Sequence, residues 1–244
     1  MSYHYWKKYF ESNQTHFGDI DWQMNDELTA EEKKLIALSI QQFQRGESSE
    51  GKHLYAYAKT FPDPLYLECI RLFICEEQMH AKALAKFMNR YHIPRIKEHW
   101  VDGVFRKLRK LAGIDNTIMI LLIAEIISKV YYAALKKATK SVLLQKICSQ
   151  VLKDEDQHIS FQCCTLQQLF RRRSPVNRAL IHTLYFTLLT GTIAVVWLYH
   201  KPVLKKGGHT LRSFRRAVTT AYSNCEALML NARNYVSNGE LLFP

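Results

Sequence analysis

The chain has 244 residues, enough to bury one substantial core, and its 48% hydrophobic and 23% charged residues exclude a disordered chain. The formal net charge of +12 is compatible with nucleic acid or an anionic membrane surface as a partner, and equally with a solvated basic face. The cysteines contain no Cys-x-x-Cys pair and the N-terminus has no apolar signal core, so we expect reduced thiols in a cytoplasmic protein.

The first two predicted helices follow an N-terminal extension. Thr29 is a predicted N-cap, with Glu32 in place to complete a capping box, and apolar residues continue at helical spacing to Tyr57. Asp63 is the predicted N-cap of the second helix, which has a proline in its first turn and reaches about Arg90. Helices of this length joined by short turns indicate a bundle.

Helical patterns fill the rest of the chain. A basic amphipathic segment is predicted around residues 101–111, and the third long helix over about 116–138. Ser141 is the predicted N-cap of the fourth helix, and two further helices are predicted at roughly 179–200 and 211–236. No segment alternates polar and apolar residues between turns, so we predict an all-α fold.

One carboxylate interrupts a strongly apolar stretch of the third long helix. Glu125 lies in "ILLIAEIISKVYY", and the residues before it, from Ile118 to Ala124, offer no polar face. An ionised carboxylate that is buried without a partner is strongly unfavourable. Glu125 therefore needs partners, and their identity should indicate the function.

A repeat of glutamate and histidine supplies candidate partners. The second and fourth predicted helices each contain Glu-x-x-His, a spacing that puts both side chains on one helical face. A single glutamate lies 30 residues before each motif glutamate, so the pattern Glu-x29-Glu-x2-His occurs twice, 78 residues apart. A third Glu-x-x-His, formed by Glu50 and His53, falls outside this repeat. The six repeated positions are Glu47, Glu77, His80, Glu125, Glu155 and His158.

This spacing predicts a metal centre. In an antiparallel helix pair, positions equidistant from the turn face each other, so two packed pairs bring four carboxylates and two imidazoles to one interior point. That donor set suits iron or manganese and leaves coordination positions open for oxygen chemistry. Glu47 lies in a polar stretch, so Glu50 is kept open as an additional carboxylate or as the ligand in its place.

The doubled motif resembles the ferritin-like di-iron carboxylate superfamily over about residues 29–171. The resemblance implies a ferritin-like four-helix bundle with a crossover between helices 2 and 3 and two additional C-terminal helices. It also implies that the six repeated residues are ligands of two iron ions, with manganese as the other option. Glu76 and Asp154 are similar to the acids that orient ligand histidines in the oxygen-activating branch. We expect Asp154 to pair with His80 and Glu76 with His158.

Three segments follow from this pattern: an N-terminal extension over 1–28, the bundle over 29–172, and C-terminal helices over 173–244 that pack on the bundle or on a membrane surface. The last segment contains 21 residues without formal charge, Ala179–Tyr199. This run is compatible with a core helix, an interfacial helix or a membrane span. Basic blocks at 106–110 and 171–173 would suit the interfacial case.

The resemblance implies a non-haem di-iron oxidoreductase that activates O2 to hydroxylate or otherwise oxidise an organic substrate, with monooxygenase chemistry favoured. The alternative is a ferroxidase or iron-handling protein without an organic substrate. The expected partners are a small-molecule or lipid-like substrate and an external electron donor, while RNA, an anionic membrane surface and a homodimer stay open. We expect a cytoplasmic protein, with a peripheral position on the inner face of a membrane as the other option.

Four side chains near the single glutamates have further expected roles. Phe43 and Leu121 lie one turn before these glutamates and are candidate liners of a substrate cavity. Tyr131 and Tyr132 lie about two turns after Glu125 and are candidates for core packing or for electron transfer.

Overall fold

A computed structural model describes residues 2–48, 51–110, 113–171 and 173–230 of the chain. These residues form an all-α structure, and no strand occurs among them. The helices in chain order are α1 (Tyr3–Ser12), α2 (Ala30–Glu47), α3 (Lys52–Ala58), α4 (Pro64–Arg90), α5 (Trp100–Lys110), α6 (Ile114–Ala138), α7 (Val142–Phe170), α8 (Pro175–Lys206) and α9 (Leu211–Leu230).

Side-chain caps begin the long helices where the sequence predicts them. Thr29, Asp63 and Ser141 each accept a hydrogen bond from a backbone N–H in the first turn, at distances between 2.9 and 3.2 Å. Each bond satisfies one of the N–H groups that have no partner within the helix. The predicted starts of α2, α4 and α7 are therefore confirmed.

The second half of the predicted capping box is wrong. The Glu32 carboxylate does not return to its own helix N-terminus but accepts hydrogen bonds from the Thr139 hydroxyl and from the Lys140 backbone N–H, the latter at 2.8 Å. Glu32 is buried, and its bonds tie α2 to the turn between α6 and α7.

The first predicted helix is also broken where the sequence pattern continues to Tyr57. α2 ends at Glu47, and α3 begins at Lys52. Gly51 between them has a φ of 63°, and a Cβ added there would lie 2.5 Å from the Ile74 side chain. Only glycine fits this left-handed, closely packed position. The break places Glu47 at the C-terminal end of its helix.

α6 lies in the interior of the fold, against α7 along its length and beneath α8 and α9. α4 packs on α2 and α7, and α1 packs on α4. The N-terminal extension is thus partly helical, which the sequence pattern did not predict, and it contributes Trp6 and Phe10 to the buried core. These contacts surround a common interior with side chains of α2, α4, α6 and α7.

α8 packs through one face only. Its inward residues, such as Tyr185, Leu189 and Val196, are buried, whereas Leu184 is 62% exposed and Leu198 is 74% exposed. α6 and α8 are both long and apolar enough to cross a membrane by length and composition alone. The uncharged run in α8 is therefore not a fully buried core helix, because one of its faces is exposed.

Candidate metal centre

The structure brings all six repeated side chains together. Two groups of four could each hold a metal ion, because one ligand atom from every member lies within 4.8 Å of those of the other members. Glu77 and Glu155 belong to both groups, so the two groups adjoin. The first group is Glu47, Glu77, His80 and Glu155, and the second is Glu77, Glu125, Glu155 and His158.

Both histidines are held from outside by an acid on the facing helix. The Nε2 atom of His80 lies 3.0 Å from Asp154 Oδ2, and the Nε2 atom of His158 lies 2.8 Å from Glu76 Oε2. These are the two pairings expected from the sequence, and both are buried. With Nε2 engaged by a carboxylate, each ring directs Nδ1 toward the glutamates, and Nδ1 of His158 lies 3.0 Å from Glu77 Oε1.

The inward atoms lack the partners that buried polar atoms normally have. Neither carboxylate oxygen of Glu155 has a hydrogen-bond partner, and neither has Nδ1 of His80. A histidine that donates its Nε2–H to a carboxylate presents only a lone pair at Nδ1. Glutamate oxygens and Nδ1 lone pairs are all acceptors, so a cation fits this arrangement.

Charge within the centre leads to the same conclusion. Burial raises the pKa of Glu47 and of Glu155 well above the usual range, and repulsion from Glu77 and Glu125, respectively, raises it further. Burial and the charge of Glu125 also raise the pKa of Glu77. Four ionised glutamates carry four negative charges, which two divalent cations would balance.

The N-terminal segment holds the outer acids, and sequence reasoning missed it. The Asn13 side-chain amide donates to Glu76 Oε1 at 2.6 Å and to Asp154 Oδ1 at 2.9 Å. His16 Nε2 lies 3.0 Å from Asp154 Oδ2. Burial alone would raise the pKa of Asp154, but its contacts with His16 and His80 outweigh burial and lower it below the usual range. Asn13 and His16 lie after the end of α1, outside any helix, and belong to no motif.

Two more side chains contact the single glutamates. The Tyr132 hydroxyl donates to Glu47 Oε1 at 2.8 Å, and the Gln162 amide donates to Glu125 Oε1 at 3.1 Å. Tyr132 had been singled out in the sequence, whereas Gln162 had not, although it lies one turn after His158 on the same face of α7.

Tyr131 packs beside the centre rather than against a candidate ligand. Its ring stacks on Phe43 with 3.4 Å between ring centroids, and its hydroxyl lies 2.8 Å from Ser39 Oγ. Ser39 Oγ in turn lies 2.8 Å from His200 Nδ1, which joins α6 and α2 to α8. The described geometry gives Tyr131 a packing role.

A cavity of about 440 Å³ borders the centre on one side. Glu47, Glu77 and Glu125 line it, together with Phe43 and Leu121, the two residues expected to do so. The other three candidate ligands, His80, Glu155 and His158, do not line it. The histidine side is covered by aromatic side chains, with Phe73 4.6 Å from the His158 ring centroid. The centre is therefore closed on the histidine side and open on the carboxylate side.

Glu50, the additional carboxylate, lies outside the described residues. Cys163 and Cys164 on α7 are buried thiols, and they do not belong to either group of candidate ligands.

Comparisons with known proteins give no match, either to a protein-family model or to a curated protein sequence.

Proposed function

We propose that this protein is a non-haem di-iron oxidoreductase of the ferritin-like type, which uses O2 to hydroxylate or otherwise oxidise an organic substrate. The observation that carries the proposal is the one-sided cavity, because it borders Glu47, Glu77 and Glu125 while the histidine side is closed. An apolar cavity with a few convergent polar groups is the usual form of a small-molecule site.

The candidate ligands divide naturally between two ions. Glu77 and Glu155 belong to both groups and would help to hold both ions, Glu47 and His80 would hold one of them, and Glu125 and His158 would hold the other. When bound, two ferrous ions would supply the reduction of O2, placing one oxygen atom into a substrate C–H bond and releasing the other as water, with two electrons and two protons from an external reductant.

The protein's own residues prepare the centre for this chemistry. Asp154 and Glu76 fix the orientation of the two imidazoles through Nε2. Tyr132 and Gln162 each hold one oxygen of a single glutamate and leave the second oxygen of that carboxylate for a metal. The buried wall of α6 around Glu125 keeps water away from the reacting atoms.

An iron-handling protein without organic substrate is the second candidate, and manganese is the second candidate metal. Beyond the three glutamates, the charged side chains among the described cavity residues are Arg45 and Lys52, both cationic. Cations on the approach to the centre oppose the passage of free metal ions, whereas they favour an anionic organic molecule. This distribution of charge supports the enzyme over the storage protein.

Metal analysis combined with single-turnover oxidation tests the proposal. The purified chain should hold about two metal ions, and Glu125→Ala should lose most of them. The matched control is Glu31→Ala, which removes an exposed carboxylate from the first turn of α2 and should leave the metal content unchanged. Circular dichroism would verify that both variants are folded.

Ferrous loading under nitrogen, followed by O2, then separates the two candidates. An enzyme should oxidise only its own bound ions in each turnover and need added reductant to continue. Continued oxidation and retention of many irons per chain without reductant would instead establish iron handling. Unchanged metal content in Glu125→Ala would refute the metal centre itself.

We also propose that the outward face of α8 lies on an anionic membrane surface. No Asp, Glu, Lys or Arg occurs between Arg178 and Lys201. The outward hydroxyls of Thr183 and Thr187 donate to carbonyls of their own helix, at 3.0 and 2.8 Å, which hides them from an apolar surrounding. Basic residues at both ends complement anionic head groups. RNA binding and dimerisation are the alternative outcomes of its test.

A further inference from the structure

The cavity beside the candidate centre is elongated along α6. Its lining on α6 runs from Thr117 to Ser128, a stretch of 12 residues that corresponds to about 16 Å of helix. Glu125 lies within this stretch, about one turn before Ser128. α8 runs along the same space and contributes Val195 and Val196.

The walls of the cavity differ between its interior and its opening. Leu54, Phe73 and Val196 are buried apolar liners. By contrast, the exposed liners, which mark the opening, include Lys52 and Tyr199. The cationic side chains of Arg45 and Lys52 thus line the same cavity as these apolar side chains and the three glutamates.

We infer that the cavity binds an amphiphile, with its long apolar body lying along α6 past Glu125 and its anionic head, a carboxylate or a phosphate, beside Arg45 and Lys52. A chain of this kind buries apolar area over the whole length of the cavity. A cation beside an anionic head group adds a charge-assisted contact at the opening. Metal ions bound by the three glutamates would cancel the negative charge that otherwise repels such a ligand.

The inference names the substrate class of the proposed enzyme and rests on that proposal for the reaction, but binding itself can be measured separately. Glu125 lies within the stretch of α6 that lines the cavity, so a body that follows α6 passes the centre. The site therefore selects a molecule by the length and polarity of its body and by the charge of its head.

Isothermal titration calorimetry on the full chain, metal-loaded and metal-free, tests this with dodecanoate and with dodecan-1-ol as the uncharged probe of equal length. Dodecanoate should bind the metal-loaded chain about tenfold more tightly than the alcohol, since each 1.4 kcal/mol is a factor of ten. Val195→Trp fills the cavity and should weaken both probes at least about tenfold. Its control is Ala194→Trp, a substitution at the exposed neighbouring position on α8, which should leave both affinities unchanged.

The head-group contact has its own matched pair. Lys52→Glu should weaken dodecanoate roughly tenfold and leave dodecan-1-ol unaffected, whereas Lys34→Glu reverses an exposed charge on α2 and should affect neither. Metal content and thermal melting of each variant would verify a native centre and fold.

The outcomes separate this inference from the proposed function. A chain that holds two metal ions and oxidises them with O2, yet binds neither probe, would overturn the inference and leave the oxidoreductase standing. Equal loss of binding in Val195→Trp and Ala194→Trp would also overturn it, and equal binding of both probes would refute the anionic head. If the chain takes up no metal ions when they are supplied, yet binds the probes in the expected pattern, the oxidoreductase would be refuted instead.

Discussion

α6 and α8 are two helices of similar apolar character that the fold treats in different ways. Both satisfy the length and composition of a membrane span, but 72% of the most apolar window is buried in α6 and only 28% in α8. α6 packs against α3, α5, α7, α8 and α9, whereas α8 covers α6 with one face and presents Leu180, Leu184 and Leu198 outward.

The polar groups of the two helices explain the difference. Glu125, Tyr131 and Tyr132 of α6 each contact a partner on another helix, in α7 or α2. The outward threonines of α8 instead bond to carbonyls of α8 itself. A helix whose polar side chains need partners elsewhere is fixed inside the fold, while a helix that satisfies its own can face any apolar surrounding. Hydropathy alone does not separate these cases.

The largest expected effect that tests this comparison is on stability. Leu122 of α6 is completely buried, so Leu122→Ala should lower the free energy of unfolding by about 2–5 kcal/mol through lost burial and a cavity. Leu184→Ala on α8 makes the same chemical change at a side chain that is 62% exposed and should alter it by less than about 0.5 kcal/mol. Urea unfolding followed by circular dichroism measures both. Equal losses would show that α8 is buried in the protein as it exists in solution.

The helix starts could be predicted because a cap is a local feature of sequence. Asp63 and Ser141 bond to N–H groups two or three residues away, and both begin their helices as expected. The break before α3 could not be predicted, because it depends on the contact between Gly51 and Ile74 in the next long helix. The Glu32 carboxylate is a similar case, since its partners, Thr139 and Lys140, are supplied by a distant turn.

The candidate centre divides in the same way. A repeat within helices of fixed pitch sets which side chains share an interior, so the six positions and both acid–histidine pairings could be predicted. Asn13 and His16 could not, because they lie in a short irregular segment after α1 and reach the outer acids only through the packing of α1 on α4. The repeat indicates which residues meet, but not what covers them.

The pH dependence of stability tests whether α8 is packed on the bundle through its inward face, where His200 is buried. Burial lowers the pKa of His200 on α8 from 6.5 to about 4. Between pH 6.5 and 4 the imidazole is protonated in the unfolded chain but neutral in the folded chain. The contribution of His200 to the free energy of unfolding is therefore fully present above pH 6.5 and is lost as the pH falls toward 4. The difference corresponds to roughly 3 kcal/mol between these limits.

The variant that isolates this effect is His200→Gln, which keeps a polar partner for Ser39 but removes the titrating group. The difference in unfolding free energy between wild type and variant should move by roughly 3 kcal/mol in the variant's favour as the pH falls from 6.5 to 4. His182→Gln, at a half-exposed position on the outward face of α8, should leave most of the wild-type pH dependence in place. Parallel curves for wild type and His200→Gln would mean that α8 does not bury this imidazole.

The smallest expected effect concerns the outward face of α8. Co-sedimentation with vesicles of equal parts phosphatidylcholine and phosphatidylglycerol should show binding that weakens with added salt, and Leu184→Ser should reduce it about tenfold. Leu38→Ser is the control, because Leu38 is 65% exposed but lies on α2. If Leu184→Ser instead dissociates a dimer in solution, the face meets a second copy of the chain, and salt-sensitive binding to RNA without vesicle binding would assign the basic charge to nucleic acid. Either result would refute the membrane contact. In a dimer the apolar face of α8 would be buried against protein, and in a complex with RNA the basic residues would bind a partner that does not contact that face.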